Sequence, residues 1–545
     1  MANYRLKQKV VQPSDANNRR ADAPGAAITQ HSGHQSSTSR GLESQTVEDL
    51  GRQRPTAFEH WWSEVGFVFT IVTSMMMSEY FIAGFNITLP PIVEALSIPP
   101  TSRTWPSAVT SLTTAALLQP FARLCDLWGG RLMLISGQTW LLGWSLISGF
   151  STNAVMLIIC RAMQGIGAAA FLPAGLSLLG RTYRPGPRKN LIFAVYGSFA
   201  CIGFYIGILV GALSAEYLTW KWYFWIGSIL CFVVITSGWL TIPEKAVDLE
   251  TSATMDWIGA ATIVPGLVLI VFALTDGGQA PNGWKTPYIY TTLLLGVGFL
   301  IAAVYVEGWV AAQPLLPPEM FKQTYMKRLM TALFCLYGTF GLFLFNASFY
   351  IESVARMRPI LTAAWFTPFA MAGIILSVAG GFILHIVPNR ILMIISCLGF
   401  LLSALLLALI PAQGVSGSTN LLYWGYVFPA MLGGSIGIDI TFNVTNIFVT
   451  TAMPRKHQAA ASGLLNSLLY LGVAFWLGIS DLAVSEIQRQ NTDKETESAV
   501  GYRIGFWIGV ALSVLALCLM VTVKMGRAIS TMTVDECTEL ETESS

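Results

Sequence analysis

Three residues able to hold or steer a proton stand inside stretches otherwise apolar enough to lie in a membrane. They are Glu79 in SMMMSEYFIAGFNITLPP (74–91), Arg161 in RAMQGIGAA (161–169) and Asp439 in GSIGIDITFNVTNIF (434–448). A charge at the bilayer centre costs about 2.5–3.5 kcal/mol on insertion scales, so such a residue normally faces a partner or a water-filled cavity. A carboxylate's hold on a proton depends on burial and on nearby cations. Motion of Glu79 or Asp439 relative to Arg161 could therefore switch that hold, which makes these three the proton-coupling candidates. On a helix Glu79, Ala83 and Asn86 share a face, and Asp439, Asn443 and Asn446 repeat the arrangement. Phe85, Asn86, Gln164, Asn346, Asn443 and Asn446 are the substrate-cavity candidates, with the rings of Phe85, Phe345 and Phe349 offering a tolerant apolar wall. Polar side chains in membranes also serve simply to bond helices together. For the asparagines the two readings stand level, whereas two buried acids are an expensive way to pack helices.

The elements that must carry these residues are transmembrane helices. The chain has 545 residues, 54% of them hydrophobic and only 11% charged, with a mean hydropathy of +0.58. Soluble domains average about 25% charged residues, so an all-α, polytopic membrane protein is expected. Apolar stretches of about 20 residues, enough to cross a core of about 30 Å, recur and suggest fourteen spans. The expected organisation is a disordered tail at 1–60, a six-helix bundle at 61–243, two inserted helices at 244–310, a second six-helix bundle at 311–524 and a short acidic tail at 525–545. The even span count puts both tails on one side. Lys and Arg concentrate on the tails and even-numbered loops, which makes that side cytoplasmic.

Two loops repeat one pattern. ARLCDLWGGRLM, after span 2, carries Ala122, Asp126, Gly129 and Arg131; GFILHIVPNRILM, after span 10, carries Gly381, His385, Pro388 and Arg390 at the same spacing. Internal repeats of this kind mark secondary transporters, whose site lies between the halves near the midplane. Asp126, Gly129 and Arg131 could form a cytoplasmic latch, with Gly129 allowing a sharp turn, or serve as an ordinary basic loop. In span 5, Gly203, Gly207 and Gly211 follow one another at four-residue spacing, and small residues so placed let helices approach closely.

Other classes find little support. The net charge of +2 lacks the dense basic stripe of a nucleic-acid binder. No P-loop, metal-ligand spacing or nucleophile–base set occurs, so neither a cofactor nor a metal is expected, and an enzyme is the least favoured class. The eight cysteines read as free thiols, with Cys125 and Cys537 on cytoplasmic segments. N-x-[ST] matches at Asn86, Asn346 and Asn443 fall inside spans, where glycosylation is implausible.

With these motifs in hand, residues 60–525 resemble the major facilitator superfamily, specifically its fourteen-span drug:proton antiporter branch and the fungal-type efflux pumps within it. ARLCDLWGGR is similar to the signature between spans 2 and 3, with Ala122 replacing its first glycine. RAMQGIGAA is similar to the span 4 signature, whose arginine falls on Arg161 and is implied to take part in proton transfer. TWKWYFWI (219–226), DWIGAATIVPGLVLIVFALTDGG (256–278) and PLLPPEMFK (314–322) resemble the start of span 6, the inserted helices and the loop after them. The chain departs from the pattern twice: Gly207-Ile208 stands where span 5 usually has Gly-Pro, and Phe81 stands where the branch often has an aspartate. Glu79 is about 200° round the helix from Phe81. The resemblance implies two six-helix bundles with two extra helices between them, rocking about a cavity lined by spans 1, 4, 9 and 12. It implies a monomer in the plasma membrane (a vacuolar or vesicular membrane being the alternative) that exports a small organic compound such as a secondary metabolite, toxin or drug, driven by protons. The stretch from Asn86 to Leu112 is similar to fungal members, many of them efflux pumps and some resembling low-affinity ammonium or boron transporters. A low-affinity facilitator of a small polar solute and a transport-dead sensor are therefore the rival expectations.

Overall fold

In hydrocarbon every backbone polar group must be bonded internally, and this chain of apolar runs accordingly folds into helices, with no strand among the described residues. The structure, a computed structural model, describes residues 54–523 except 56, 59, 100–101, 184–186, 244–253, 279, 281–282, 323–324, 412–418, 453–454 and 491–493. The expectations for residues 1–53, for the tail at 525–545 and for Cys537 lie outside those residues; at the end of the expected 1–60 tail, Phe58 is instead buried against Phe67, their rings 5.0 Å apart.

The first half comprises α1 (Trp61–Ala95), α2 (Trp105–Trp128), α3 (Gly130–Ser148), α4 (Ala154–Thr182), α5 (Pro187–Tyr217) and α6 (Lys221–Thr241). Two helices follow, α7 (Trp257–Gly277) and α8 (Pro287–Val310). The second half comprises α9 (Met326–Val354), α10 (Pro359–Trp365 continued by Thr367–Ile386), α11 (Asn389–Ala408), α12 (Phe428–Ala452, preceded by a π turn at Leu422–Val427), α13 (Arg455–Gln490) and α14 (Lys494–Thr522). Among the described residues, twelve helices are long and apolar enough to cross a membrane by length and composition. The expectation was fourteen, and α2 and α3 are the two that fall short. In α2 the reason is visible: Thr110, Thr113 and Thr114 are spent on carbonyls of Arg161, Ala162 and Gly165 in α4.

The two halves repeat one another in detail. Arg131, at the start of α3, donates to the Trp239 carbonyl near the end of α6 at 3.2 Å. Arg390, at the start of α11, donates to the Val521 carbonyl near the end of α14 at 2.6 Å. The third and fourth helices of each half meet through glycines. A methyl on Gly137 would stand 2.9 Å from the Gly167 oxygen, and one on Gly399 would stand 2.7 Å from the Gly433 oxygen. Between the halves α2 packs on α13 and α5 packs on α10, while α7 lies across α2 and α13 with α8 outside it. A single large apolar core runs through both halves.

The end of the molecule where α1 begins is called the near face and the opposite end the far face. At the near face Gly129 joins α2 to α3 with φ of 90°, a conformation that residues with a Cβ rarely adopt. There Glu64 accepts from Tyr183 (3.1 Å) and Arg188 (2.9 Å). Burial, then the charge of Glu64, pushes the Tyr183 phenol up, so it stays a donor.

Candidate functional site

The positions of the acids follow from how α1 is built. Its α-helix runs to Glu79, passes through a π turn at Tyr80–Gly84 and resumes at Phe85. A π turn takes more residues per turn than an α-helix, so it rotates everything beyond it. Glu79 and Asn86 therefore do not share the face that unbroken helical spacing predicts. Asn86 turns to α2, where its Oδ1 accepts from Ser107 at 2.9 Å. Glu79 turns to the second half, where Asp439 of α12 lies within electrostatic reach. Tyr196 of α5 and Tyr470 of α13 sense the Glu79 charge, and Cys201 of α5 senses both acids.

What holds α1 so close to α5 is the glycine series. Methyl groups on Gly203, Gly207 and Gly211 would overlap the backbone of Met76, Tyr80 and Gly84, with 2.6 Å from Gly207 to the Tyr80 oxygen. The Tyr80 hydroxyl donates to the Tyr223 carbonyl at 2.7 Å and the Tyr223 hydroxyl to the Tyr80 carbonyl at 2.6 Å, the rings stacked 4.9 Å apart. Phe81, at the position of the branch's aspartate, is buried against Tyr223 and Gly227 of α6, away from the other half.

Asp439 is held from two sides. Ser435 donates to its Oδ2 at 2.8 Å, and the Cys201 thiol lies 3.4 Å from its Oδ1. Glu79 takes part in no hydrogen bond or ion pair with the described residues. Both acids are half-buried, while Tyr196, Tyr470, Ser78 and Ser435 around them are buried. Ser78 of α1 and Tyr470 of α13, 3.2 Å apart, join the two halves beside Glu79. The result is two half-buried carboxylates, one from each half, within electrostatic reach of each other.

Arg161 stands apart from the acid pair. It is 1% exposed, donates from Nε to the Pro106 carbonyl at 3.2 Å and from Nη1 to Gln164 at 2.8 Å, and stacks 3.9 Å over the Phe85 ring. Phe85 is six residues beyond Glu79, so by helical rise Arg161 sits roughly 9 Å toward the far face. Gln164 in turn donates to Ser148 at 3.1 Å. Phe85, Asn86, Gln164 and Arg161 thus form a closed polar cluster inside the first half. Asn346 is likewise enclosed, its amide over Gly505 of α14, and Phe349 stacks on Tyr502. Of the substrate-cavity candidates, Asn443 and Asn446 are half-buried, on the α12 turns after Asp439.

Of the latch residues, Asp126 pairs with Arg181 of α4 at 2.6 Å and Arg131 donates to Trp239 as above. In the second copy Arg390 is described; the side chains of Gly381 and His385 are not. Contacts between the halves at the far face went unforeseen in the sequence. Thr104 donates to Asp481 at 2.8 Å, and Glu216 at the end of α5 pairs with Arg358 and accepts from the Ile360 amide at 3.0 Å. A charged residue just past the end of an apolar span was the available signal. Tyr196, Tyr470 and Cys201 gave none, since each reads as ordinary packing.

Two helical bundles of repeated design, packed against each other with an acid from each brought together, are the architecture of membrane transporters. Residues 68–477 match the Major Facilitator Superfamily, and the chain belongs to it. A low affinity ammonium transporter of Saccharomyces cerevisiae is 30% identical over 87% of this chain and 90% of its own. The efflux pump terJ of Aspergillus terreus is 29% identical over 87% and 89%, and the aminotriazole resistance protein of S. cerevisiae 30% over 85% and 84%. Among solved structures, the peptide transporter POT shares the fold at a TM-score of 0.58 and 17% identity, covering 88% of this chain and 97% of that one.

Proposed function

We infer that this protein is a proton-coupled exporter of a small organic compound, working by alternating access. The observation that carries the reading is the acid pair. Glu79 and Asp439 come from different halves, lie half-buried within electrostatic reach of each other and have no fixed cation beside them among the described residues, because Arg161 is engaged elsewhere. Positive charge is what such a site needs, and a proton is the smallest carrier of it. Rocking of one half against the other changes the separation of the two carboxylates and hence the ease with which both ionise. Arg161 orders the first half around α1 instead of meeting the proton.

In this reading all fourteen helices cross the bilayer, with α2 and α3 shielded from lipid by their neighbours. The near face and both tails are cytoplasmic, the membrane is the plasma membrane and the working unit is one chain. The far-face contacts Thr104–Asp481 and Glu216–Arg358 belong to a state closed to the outside. The driving force is sufficient: one pH unit supplies about 1.4 kcal/mol and 100 mV about 2.3 kcal/mol per charge. One proton moved under both sustains roughly a 500-fold gradient of a neutral solute.

The test uses yeast cells lacking their own efflux pumps. Expression of the chain should lower accumulation of aminotriazole, and a protonophore should abolish the effect. Export that persists after the proton gradient is collapsed rejects the coupling. A second reading, facilitated movement of ammonium, is favoured by the acid pair's affinity for cations and by the ammonium-transporting relative. It predicts methylammonium uptake that survives the protonophore.

A further inference from the structure

A second carboxylate pair lies away from Glu79 and Asp439, where the two inserted helices meet at the near face. Asp256 caps the start of α7, its Oδ1 accepting from the Gly259 amide at 2.8 Å. Glu307 comes from the end of α8, within a π turn at Val306–Val310. It is 8% exposed, and its Oε2 accepts from the Leu316 amide at 2.9 Å. Each carboxylate therefore uses one oxygen. The remaining two, Asp256 Oδ2 and Glu307 Oε1, are buried and have no hydrogen-bond partner among the described residues. A methyl group on Gly259 would overlap both of them at once, so they flank one point, and Glu307 senses the charge of Asp256. Met255, Ile263, Ala303, Leu315 and Leu316 cover the spot with apolar surface.

Buried orphan oxygens facing each other are costly, and two carboxylates at such close range do not both ionise. The charged group reaching in from a neighbouring helix is Arg123 of α2. Two of its donors are placed, Nε on the Thr254 carbonyl at 3.0 Å and Nη2 on Gln313, and neither reaches the two free carboxylate oxygens. Glu319 and Lys322, on the short helix that follows, are exposed. A divalent metal would need six or more oxygens, and among the described residues no third Asp, Glu, His or Cys joins the pair. A proton needs only the two oxygens already there.

We propose that Asp256 and Glu307 bind one shared proton, as an O–H···O bond between Oδ2 and Oε1, which fastens the inserted helices to the connection leading into the second half. The same connection is tied to the first half, because Gln313 accepts from both Arg123 and the Thr254 amide. Losing the proton leaves two like charges at this junction and loosens it. The site does not depend on the Glu79–Asp439 reading.

The test uses the full-length protein in detergent micelles. The folded state holds a proton that the unfolded chain releases at neutral pH, so stability falls as pH rises. Wild-type Tm should drop toward alkaline pH more steeply than that of Glu307→Gln, whose amide donates an N–H permanently. Asp256→Asn keeps the cap and provides the same comparison should Glu307→Gln fail to fold. The infrared carbonyl band of a protonated carboxyl should shrink in the double variant relative to wild type. Amide variants that follow the wild-type slope, or an unchanged band in the double variant, overturn the proposal. So does a rise in wild-type Tm with added Ca²⁺ or Na⁺ that Glu307→Gln lacks, since a metal would then be the occupant.

Discussion

Arg161 is the largest side chain among those fully buried in this protein. It survives there because its guanidinium has a carbonyl, an amide and an aromatic face as partners. Lysine cannot reproduce that geometry: it is a point charge on a flexible stem, whereas the guanidinium is planar and forked. Arg161→Lys should therefore lower stability by about 2–4 kcal/mol, the worth of one or two hydrogen bonds to a charged group. Thermal unfolding of the purified protein checks this. A variant as stable as wild type would mean that the cluster around Phe85 and Gln164 is looser than described. The acids differ in kind. Glu79 and Asp439 gain little from the packing around them, so replacing either with its amide should leave the fold intact and remove only the proton chemistry. What the sequence revealed of these residues was their cost. An acid in an apolar run announces itself, and so did Arg161. The pairing of Glu79 with Asp439 across the two halves was not legible, nor was the enclosure of Arg161, because both depend on helix rotation.

That rotation is set within single helices and their contacts. The π turn at Tyr80–Gly84 separates Glu79 from Asn86, and nothing in the local sequence marks it, since every residue there is also compatible with an α-helix. The glycine series of α5 was legible, because four-residue spacing of small residues has one common use in membranes. Leucine at Gly207 would press on the Tyr80 backbone. It should cost about 1–3 kcal/mol by overpacking and move Glu79 away from Asp439, so that transport falls even where protein still reaches the membrane. Normal transport by Gly207→Leu would show that α1 and α5 can separate without consequence. At Gly129, alanine must adopt a φ of 90° with a ψ of 146°, and Gly129→Ala should destabilise by about 1–3 kcal/mol, again read as a shift in Tm.

At the level of the whole molecule, the duplication was legible from two loops with one spacing, and the matching contacts Arg131–Trp239 and Arg390–Val521 are its physical expression. The placement of α7 across α2 and α13 was not, because apolar helices carry no address in their hydropathy. Alternating access requires the far-face contacts to break. Glu216→Gln removes the charge from the Arg358 pair, which is exposed on the arginine side and so worth at most about 1 kcal/mol. Even that shifts a two-state equilibrium by about fivefold. Cys201, half-buried beside Asp439, reports the shift. Its labelling by a membrane-impermeant thiol reagent added at the far face should speed up by up to that factor in Glu216→Gln, with Cys201→Ser as the control. An unchanged rate would place the gate elsewhere.

The acid pair is tested most directly by driven transport in proteoliposomes holding wild type, Glu79→Gln or Asp439→Asn, with labelled aminotriazole as the probe. An imposed proton gradient should drive it against its own gradient in wild type, and at least one of the two variants should lose that driven movement by tenfold or more while still exchanging aminotriazole down a gradient. Driven transport at wild-type rates in both variants would contradict the account.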